Sequence, residues 1–342
     1  MEPLHDFYSD TQTRPTRAMR EAVLEAPVGD ERHGACPTTN ALNARVAEML
    51  GMEAAFFLPS GTMCNEIAIA VHTRPGDEVI CTRESHIIFA ESGGPAALSG
   101  VMMHPIDGAR GMLTPEEVAF AVRPASAHAP RSRLLVCEQT ANLAGGAVWP
   151  AAQLNAVAET ARAAGLATHL DGARLLNAQV ATGTPAAEFA RGFDSAWIAF
   201  TKGLGCPVGA VLAGSRAFID DAWLIKRRWG GAMRQTGVLA AMCLHALDHH
   251  VARLADDHAL ARDIARRIAD LPAIKNVLPA DTNIVIADLS EDAPDGRTVR
   301  ALLAEKGVTV TVVGHKRLRM VTHLDVGPSD VDALLEALAG IG

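Results

Sequence analysis

Apolar residues along this chain fall into short runs, separated by longer stretches with an apolar position every three or four residues. Runs of four to six apolar residues bounded by turn formers read as buried strands, and the wider spacing reads as amphipathic helix. Ala54–Leu58 is the first clear strand, followed by the turn Pro59-Ser60-Gly61-Thr62 and a helix to about His72. Glu78–Cys81 and Leu134–Cys137 are further strands. Ala151–Ala164 reads as an alanine-rich helix stopped by Gly165, with the strand Leu166–Leu170 behind it. Ser195–Phe200 repeats the pattern, and Val208–Ala213 returns as a strand. This alternation predicts an α/β fold with a mostly parallel sheet.

From Gly237 to Leu271 the pattern is helical, with Asp256-Asp257 as the expected break. Beyond it come a strand over Asn283–Leu289, a helix over Thr298–Lys306, strands over Val308–Val313 and Arg319–Thr322, and a last helix with Ser329 as its N-cap. That tail predicts a small α/β domain beside a large one, with the boundary inside the helical region.

Composition narrows the function classes. The chain has 342 residues, 49% hydrophobic and 20% charged, enough to bury a large core. A formal charge of -8 and the lack of a basic stripe exclude a nucleic-acid surface. No apolar run approaches the ~18 residues of a membrane span, and the start MEPLHDFYSDTQT lacks the apolar core of a signal peptide. The six cysteines are scattered without a C-x-x-C pair, so they read as reduced thiols in a cytoplasmic protein rather than disulfides or a zinc site. His245 and His249 stand one turn apart and read as a solvated or subunit-facing helix surface; no metal is expected.

Three features stand at predicted strand ends, where open α/β sheets bind ligands. Ser60-Gly61-Thr62 opens a helix, whose free N–H groups can hold a phosphate or simply be capped. Asp171, in His169-Leu170-Asp171-Gly172-Ala173-Arg174, ends a buried strand; it needs a donor, and Arg174 is one candidate. Lys202 is the first lysine of the chain, with only Lys226, Lys275, Lys306 and Lys316 after it. An arginine-rich sequence that places a lysine here points to an amine's own chemistry, such as a Schiff base, although a strand-end lysine can also snorkel to solvent. A phosphate cradle, a carboxylate and a lone lysine at neighbouring strand ends are what pyridoxal 5′-phosphate (PLP) requires.

At this point the sequence resembles the low-specificity L-threonine aldolases, of the β-eliminating lyase group of fold-type I PLP enzymes. The matching stretches are SDTQTRPTRAM, APVGDE, LPSGTMCN, PGDEVI, GGAVWP, HLDGARLLNA, TKGLGCPVGA, GGAMRQTGVLAA and RMVTHLD, in order from Ser9 to Asp325. The resemblance implies a fold-type I, transferase-like architecture: an N-terminal segment (1–14) reaching the active site, a large PLP-binding domain (15–245) and a small C-terminal α/β domain (246–342). It implies a homo-oligomer, dimer or tetramer, with shared active sites, acting on a small amino-acid substrate.

On individual residues, the resemblance makes Lys202 the Schiff-base lysine and Asp171 the partner of the pyridine nitrogen. Gly61 and Thr62 match phosphate contacts, and Arg234 matches an arginine reaching the phosphate from a neighbouring subunit. His86 matches a histidine stacked on the cofactor ring. Ser9, Arg174 and Arg319 match the groups that grip the substrate carboxylate. His128 matches a second histidine near the substrate hydroxyl; either histidine is a candidate base. The implied reaction cleaves an L-3-hydroxy-α-amino acid to glycine and an aldehyde. Two other readings stay open at this stage: β-elimination or dehydration with the same cofactor, and a PLP-binding protein without turnover.

The chain departs from the family pattern in two places. His33 stands for a tyrosine, and Ala35 and Cys36 for an acidic pair; Ala90 stands where Phe or Tyr is usual. Both regions approach the side-chain end of the substrate in the family, which makes His33 and Ala90 candidate specificity residues. Cys36 reads as a small apolar filler or as a reactive thiol.

Overall fold

Both faces of the central sheet are covered by helices, which is why its strands read as nearly unbroken apolar runs. The structure is a computed structural model that describes residues 4–341; residues 1–3 of the expected N-terminal segment, and residue 342, lie outside the described residues. A two-residue strand, β1 (His5–Asp6), comes first. The sheet then takes β2 (Ala54–Leu58), β3 (Glu78–Thr82), β4 (Met102–Ile106), β5 (Ser132–Glu138), β6 (Ala167–Asp171), β7 (Ser195–Ala199) and β8 (Ala210–Gly214). Their spatial order is β2-β8-β7-β6-β5-β3-β4, and β8 alone runs antiparallel to its neighbours. The carboxyl ends of β2, β3, β5, β6 and β7 therefore share one edge. The order reverses between β3, with β4 on one side, and β5 on the other, which opens a crevice at that edge.

Alternation along each strand sorts the core into two layers. Phe57, Ile198 and Val211 join the main cluster around Trp149 and Phe200. Phe56, Leu58, Trp197 and Leu212 face the helices Gly61–His72 and Arg216–Arg228 on the other side. Gly61 begins the first of these helices, and a Cβ there would lie 2.2 Å from the Trp197 ring. Only glycine lets the helix start sit this close to β7.

The small domain is an antiparallel sheet of β9 (Ile274–Val277), β10 (Ile284–Leu289), β12 (Thr311–Gly314) and β13 (Arg317–Val321), in the order β12-β13-β10-β9. Between β10 and β12 lies β11 (Val308–Thr309), which pairs in parallel with β1. Phe7 is accordingly fully buried in the small domain's core. On the helix Leu254–Ile268, Leu254 belongs to the large core and Ala261 to the small one.

Several expectations are corrected. The long helical region breaks at residues 250–253, not at Asp256-Asp257. The two aspartates sit instead in the first turn of the second helix, where negative charge suits the free N–H groups. Ser329 is not the N-cap of the last helix, Pro328–Ala339: Pro328 takes the first helical position, and the Asp330 carboxylate accepts from Gly327 N at 2.7 Å. Val308–Val313 splits because β11 pairs with β1 and β12 with β13. β4 has no long apolar run to mark it in the sequence, because it is a half-exposed edge strand interrupted by Pro105.

Candidate active site

Lys202 follows β7 in a turn closed by Gly205 N–H to the Lys202 carbonyl (2.8 Å) and Cys206 N–H to the Phe200 carbonyl (2.9 Å). Gly205 sits at φ +78, a left-handed conformation that favours glycine. The Thr13 hydroxyl donates to the Lys202 carbonyl at 2.8 Å, tying the N-terminal segment to this turn. Lys202's amine has no hydrogen-bond or ion-pair partner among the described residues. The other lysines are engaged: Lys226 with Glu31 and the Phe57 carbonyl, Lys275 with Glu291, Lys306 and Lys316 with backbone carbonyls. Enclosure by protein pushes the Lys202 amine down to about 8; Arg174 adds to this, and Asp10, Asp171 and Glu138 oppose it.

Asp171 ends β6 across from that amine and is buried. Its Oδ1 accepts from Ala173 N at 3.0 Å and its Oδ2 from the Asn65 amide at 2.8 Å. Arg174 does not pair with it. Asn65 also donates to Glu91 Oε1 (2.7 Å), and its own oxygen accepts from the Trp197 indole (2.8 Å) and meets His169 Nε2 (3.1 Å). Burial pushes the His169 imidazole down to about 3, so a neutral ring links Asn65 to Ser195.

His86 begins the short helix His86–Phe89 beyond β3. Its Nδ1 meets Glu91 Oε1 at 2.7 Å, which leaves Nε2 for the cleft. A ring nitrogen or carboxylate oxygen from each of His86, Glu91 and Asp171 lies within 4.8 Å of the others. Burial alone would lower the His86 imidazole, but the Glu91 bond and the Asp171 charge raise it. Glu138, at the end of β5, accepts from His86 N (2.8 Å) and Asn142 N (2.8 Å). Burial and the Asp171 charge push its carboxyl up. A cavity of about 180 Å³ collects Ser60, Gly61, Thr62, His86, Asp171 and Lys202. Helix Gly61–His72 points its first N–H groups there, with Ser60 Oγ accepting from Met63 N at 3.3 Å.

Arg174 is turned onto Asp10: Nε to Oδ2 at 2.8 Å, Nη2 to Oδ1 at 2.7 Å, both side chains buried. It was expected to grip a carboxylate, and here it already grips the protein's own. Burial would raise the Asp10 carboxyl, yet the Arg174 charge holds it well below the usual range. Ser9 is buried and caps the turn Asp10–Gln12 by accepting from Thr11 N at 3.2 Å. Arg319 differs. Its Nη1 makes one long bond of 3.4 Å to the Tyr8 carbonyl, and its Nε is buried without a partner among the described residues. Burial, and then Arg174 nearby, push it down to about 10.

Four expected residues are not brought to the cluster within one chain. His128 is exposed in the loop before Ser132, and β5 separates it from Glu138 and Asp171 by about 20 Å of strand. Within one chain this histidine does not join the cluster. Arg234 is exposed, its carbonyl accepting from Glu31 N at 3.0 Å. His33 is exposed and outside the Lys202 cavity. Ala90 is exposed at the end of helix His86–Phe89, its N–H on the His86 carbonyl at 2.9 Å. Cys36 is fully buried, as a small filler would be, at the start of helix Pro37–Leu50, and its sulfur also accepts from Gly237 N (3.1 Å) and the Thr39 hydroxyl (3.2 Å). Burial would raise the thiol, but these donors lower it.

Sequence reasoning passed over Asp10, Asn65, Glu91 and Glu138. Two of them carried a signal: Asn65 stands one helical turn after Gly61, and Glu138 ends a buried strand as Asp171 does.

The family described as β-eliminating lyase matches residues 6–292. The low-specificity L-threonine aldolase of Escherichia coli (strain K12) is 41% identical over 324 residues, 94% of each chain. The low-specificity L-threonine aldolase 1 of Arabidopsis thaliana is 37% identical, covering 95% of this chain and 93% of that one. The solved threonine aldolase of Leishmania major superposes with TM-score 0.82 over 98% of both chains at 20% identity, a likeness of fold. By sequence over nearly its whole length, this chain belongs to the low-specificity L-threonine aldolases of the β-eliminating lyase family.

Proposed function

We propose that the protein is a PLP-dependent aldolase that cleaves L-3-hydroxy-α-amino acids to glycine and an aldehyde, with threonine, allo-threonine and phenylserine as candidate substrates. One observation carries this reading. An unpartnered lysine amine, a buried, fixed carboxylate and a helix start line one cavity. Those residues fit the cofactor. Lys202 would hold it covalently, Asp171 would face the ring nitrogen, and the N–H groups at Gly61 and Thr62 would take the phosphate. When bound, PLP supplies the electron sink that lets a bond at the substrate's α-carbon give up its electron pair.

This chain's own residues supply the rest. With a pKa near 8, a useful fraction of the Lys202 amine is unprotonated and nucleophilic at mildly alkaline pH. Arg319, with N–H groups to spare, takes the substrate carboxylate and sets the orientation of the bond to be broken. Nε2 of His86 accepts the β-hydroxyl proton as the aldehyde departs, and Glu91 steadies the ring from behind. We place the enzyme in the cytoplasm as a homo-oligomer, dimer or tetramer. All six cysteines are free, no helix among the described residues is long and apolar enough to cross a membrane, and the exposure of Arg234 leaves it available to a neighbour's site.

The test is a panel of 3-hydroxy amino acids assayed for glycine and aldehyde, with Lys202→Ala alongside. The wild type should carry a visible cofactor band and turn over part of the panel. Lys202→Ala should lose the band and the turnover together. Borohydride trapping on Lys226 in place of Lys202, or a banded protein that releases no aldehyde, would sink the reading.

A further inference from the structure

Behind His86 lies a carboxyl group that the reaction does not use. Glu66 follows Asn65 on the helix Gly61–His72 and is buried, only 3% exposed. Its carboxyl fills the space a side chain at Gly94 would take: a Cβ on Gly94 would lie 2.0 Å from Glu66 Oε1. The carboxyls of Glu66 and Glu91 are within hydrogen-bond reach of each other. Among the described residues, no donor reaches either Glu66 oxygen or Glu91 Oε2. Glu91 Oε1 is fully occupied by Asn65 (2.7 Å) and His86 (2.7 Å).

Two buried carboxyls in contact, with three oxygens lacking donors, are satisfied at once by a single proton. As two anions they would repel each other and leave those oxygens desolvated without compensation. As acid and anion, Glu66 donates its O–H to Glu91 Oε2, and every acceptor on Glu91 has a donor. We infer that Glu66 and Glu91 share one proton carried on Glu66, making Glu66 a positioning residue that keeps Glu91 anionic and His86 fixed with Nε2 toward the substrate. The proposal deepens the aldolase reading and rests on it only for the role of His86. Burial and then the Glu91 charge push the Glu66 carboxyl up to about 8, so it stays protonated at neutral pH. The other charges that act on His86 are Asp171 from β6, Glu138 from β5 and Lys202 after β7. Lys226, on the helix Arg216–Arg228 packed against this one, is held by Glu31.

Infrared spectroscopy on the holoenzyme reads the proton directly. Near neutral pH the wild type should show the carbonyl stretch of a protonated buried carboxylic acid, and Glu66→Gln should lack it. Selectively labelled histidine, with His86 assigned by His86→Gln, gives the second readout. In the wild type the His86 signal should titrate and then shift again near the Glu66 pKa. Glu66→Gln, a neutral donor of similar shape, should keep the first titration and lose the second. Glu66→Leu, with no donor, should leave Glu91 Oε2 without a partner and move the His86 titration away from its wild-type position. Should the leucine variant not fold, Gly94→Ala, which displaces the Glu66 carboxyl, should have the same effect. A wild type without the acid band, or a His86 titration indifferent to Glu66→Leu and Gly94→Ala, overturns the proposal. Neither readout depends on aldehyde release, so a failure here is distinct from failure of the aldolase assignment.

Discussion

Arg174 and Asp10 face each other in a bidentate pair with bonds of 2.8 and 2.7 Å, sealed from solvent. Asn283 reaches the same Asp10 carboxylate from the small domain at 3.0 Å, so one side chain ties the N-terminal segment to both domains. The pair also divides labour between two arginines. Arg174 has its charge matched within the protein, and Arg319 keeps a buried Nε without a partner among the described residues.

Two variants should separate these roles. Asp10→Ala leaves a buried guanidinium without its counter-charge and should destabilise the fold by ~3–5 kcal/mol, read from urea denaturation. It also removes a charge that holds the Lys202 pKa up, so the alkaline rise in activity should begin at lower pH. Arg319→Gln should leave urea stability nearly unchanged and lower kcat/KM by about 10–100-fold, the loss of charged hydrogen bonds worth ~1.5–3 kcal/mol. Equal stability losses for both would show that Arg319 is structural too.

His169 gives a pH-dependent prediction. Its folded pKa of about 3 lies below that of a histidine in the unfolded chain, ~6.5. Between these values the unfolded state binds the extra proton, so this group makes the fold less stable as pH falls below ~6.5. Asp257 and Glu66, both pushed upward, titrate in the opposite sense and mask the effect in the wild type. The difference between His169→Gln and wild type isolates it. Measured by denaturation, that difference should move in the variant's favour by ~1.4 kcal/mol per pH unit below ~6.5. A pH-independent difference would mean that the His169 pKa is not depressed.

The residues legible in the sequence were those whose role shows in local context. Lys202 and Asp171 end apolar runs, and strand ends are where such sheets bind ligands. Ser60-Gly61-Thr62 sits at a helix start, although the demand for glycine there comes from Trp197, far along the chain. The Asp10–Arg174 pair joins positions 164 apart, and no period or motif in either segment encodes it. Glu66 was hidden for a related reason. A glutamate on a helix is ordinarily a solvated face, and only the bare α-carbon of Gly94 makes room to bury this one. Arg234, His33 and His128 came from the family resemblance, and one chain places all three on its surface.

If Arg234 completes a neighbour's phosphate site, inactive variants should rescue each other. Lys202→Ala and Arg234→Ala should each be nearly inactive alone. Mixed by co-expression, random pairing across a two-fold interface leaves one intact site in each mixed dimer, so about a quarter of wild-type activity should return. No recovery from stable, mixed oligomers would mean that Arg234 acts within its own chain or not at all.

Ala90 governs the size of the substrate's β-substituent in the last prediction. It caps the short helix that His86 begins, its N–H on the His86 carbonyl at 2.9 Å, and is exposed. If position 90 borders the substrate's β-carbon, an aromatic ring there would fill the space beside it and a methyl group would leave it open. Neighbouring Phe89 is 63% exposed and does not fold back to refill it. Burying apolar surface contributes ~25 cal/mol per Å², so a substrate phenyl ring placed there gains roughly 1–3 kcal/mol. At ~1.4 kcal/mol per tenfold, kcat/KM should favour phenylserine over threonine by about ten- to a hundredfold. Ala90→Phe should close the space and shift the ratio back toward threonine, mainly through lost phenylserine turnover, with little change in stability at so exposed a site. Steady-state kinetics with both substrates on both proteins decides the matter. A wild type that prefers threonine, with a ratio that Ala90→Phe leaves unmoved, would show that position 90 does not border the substrate.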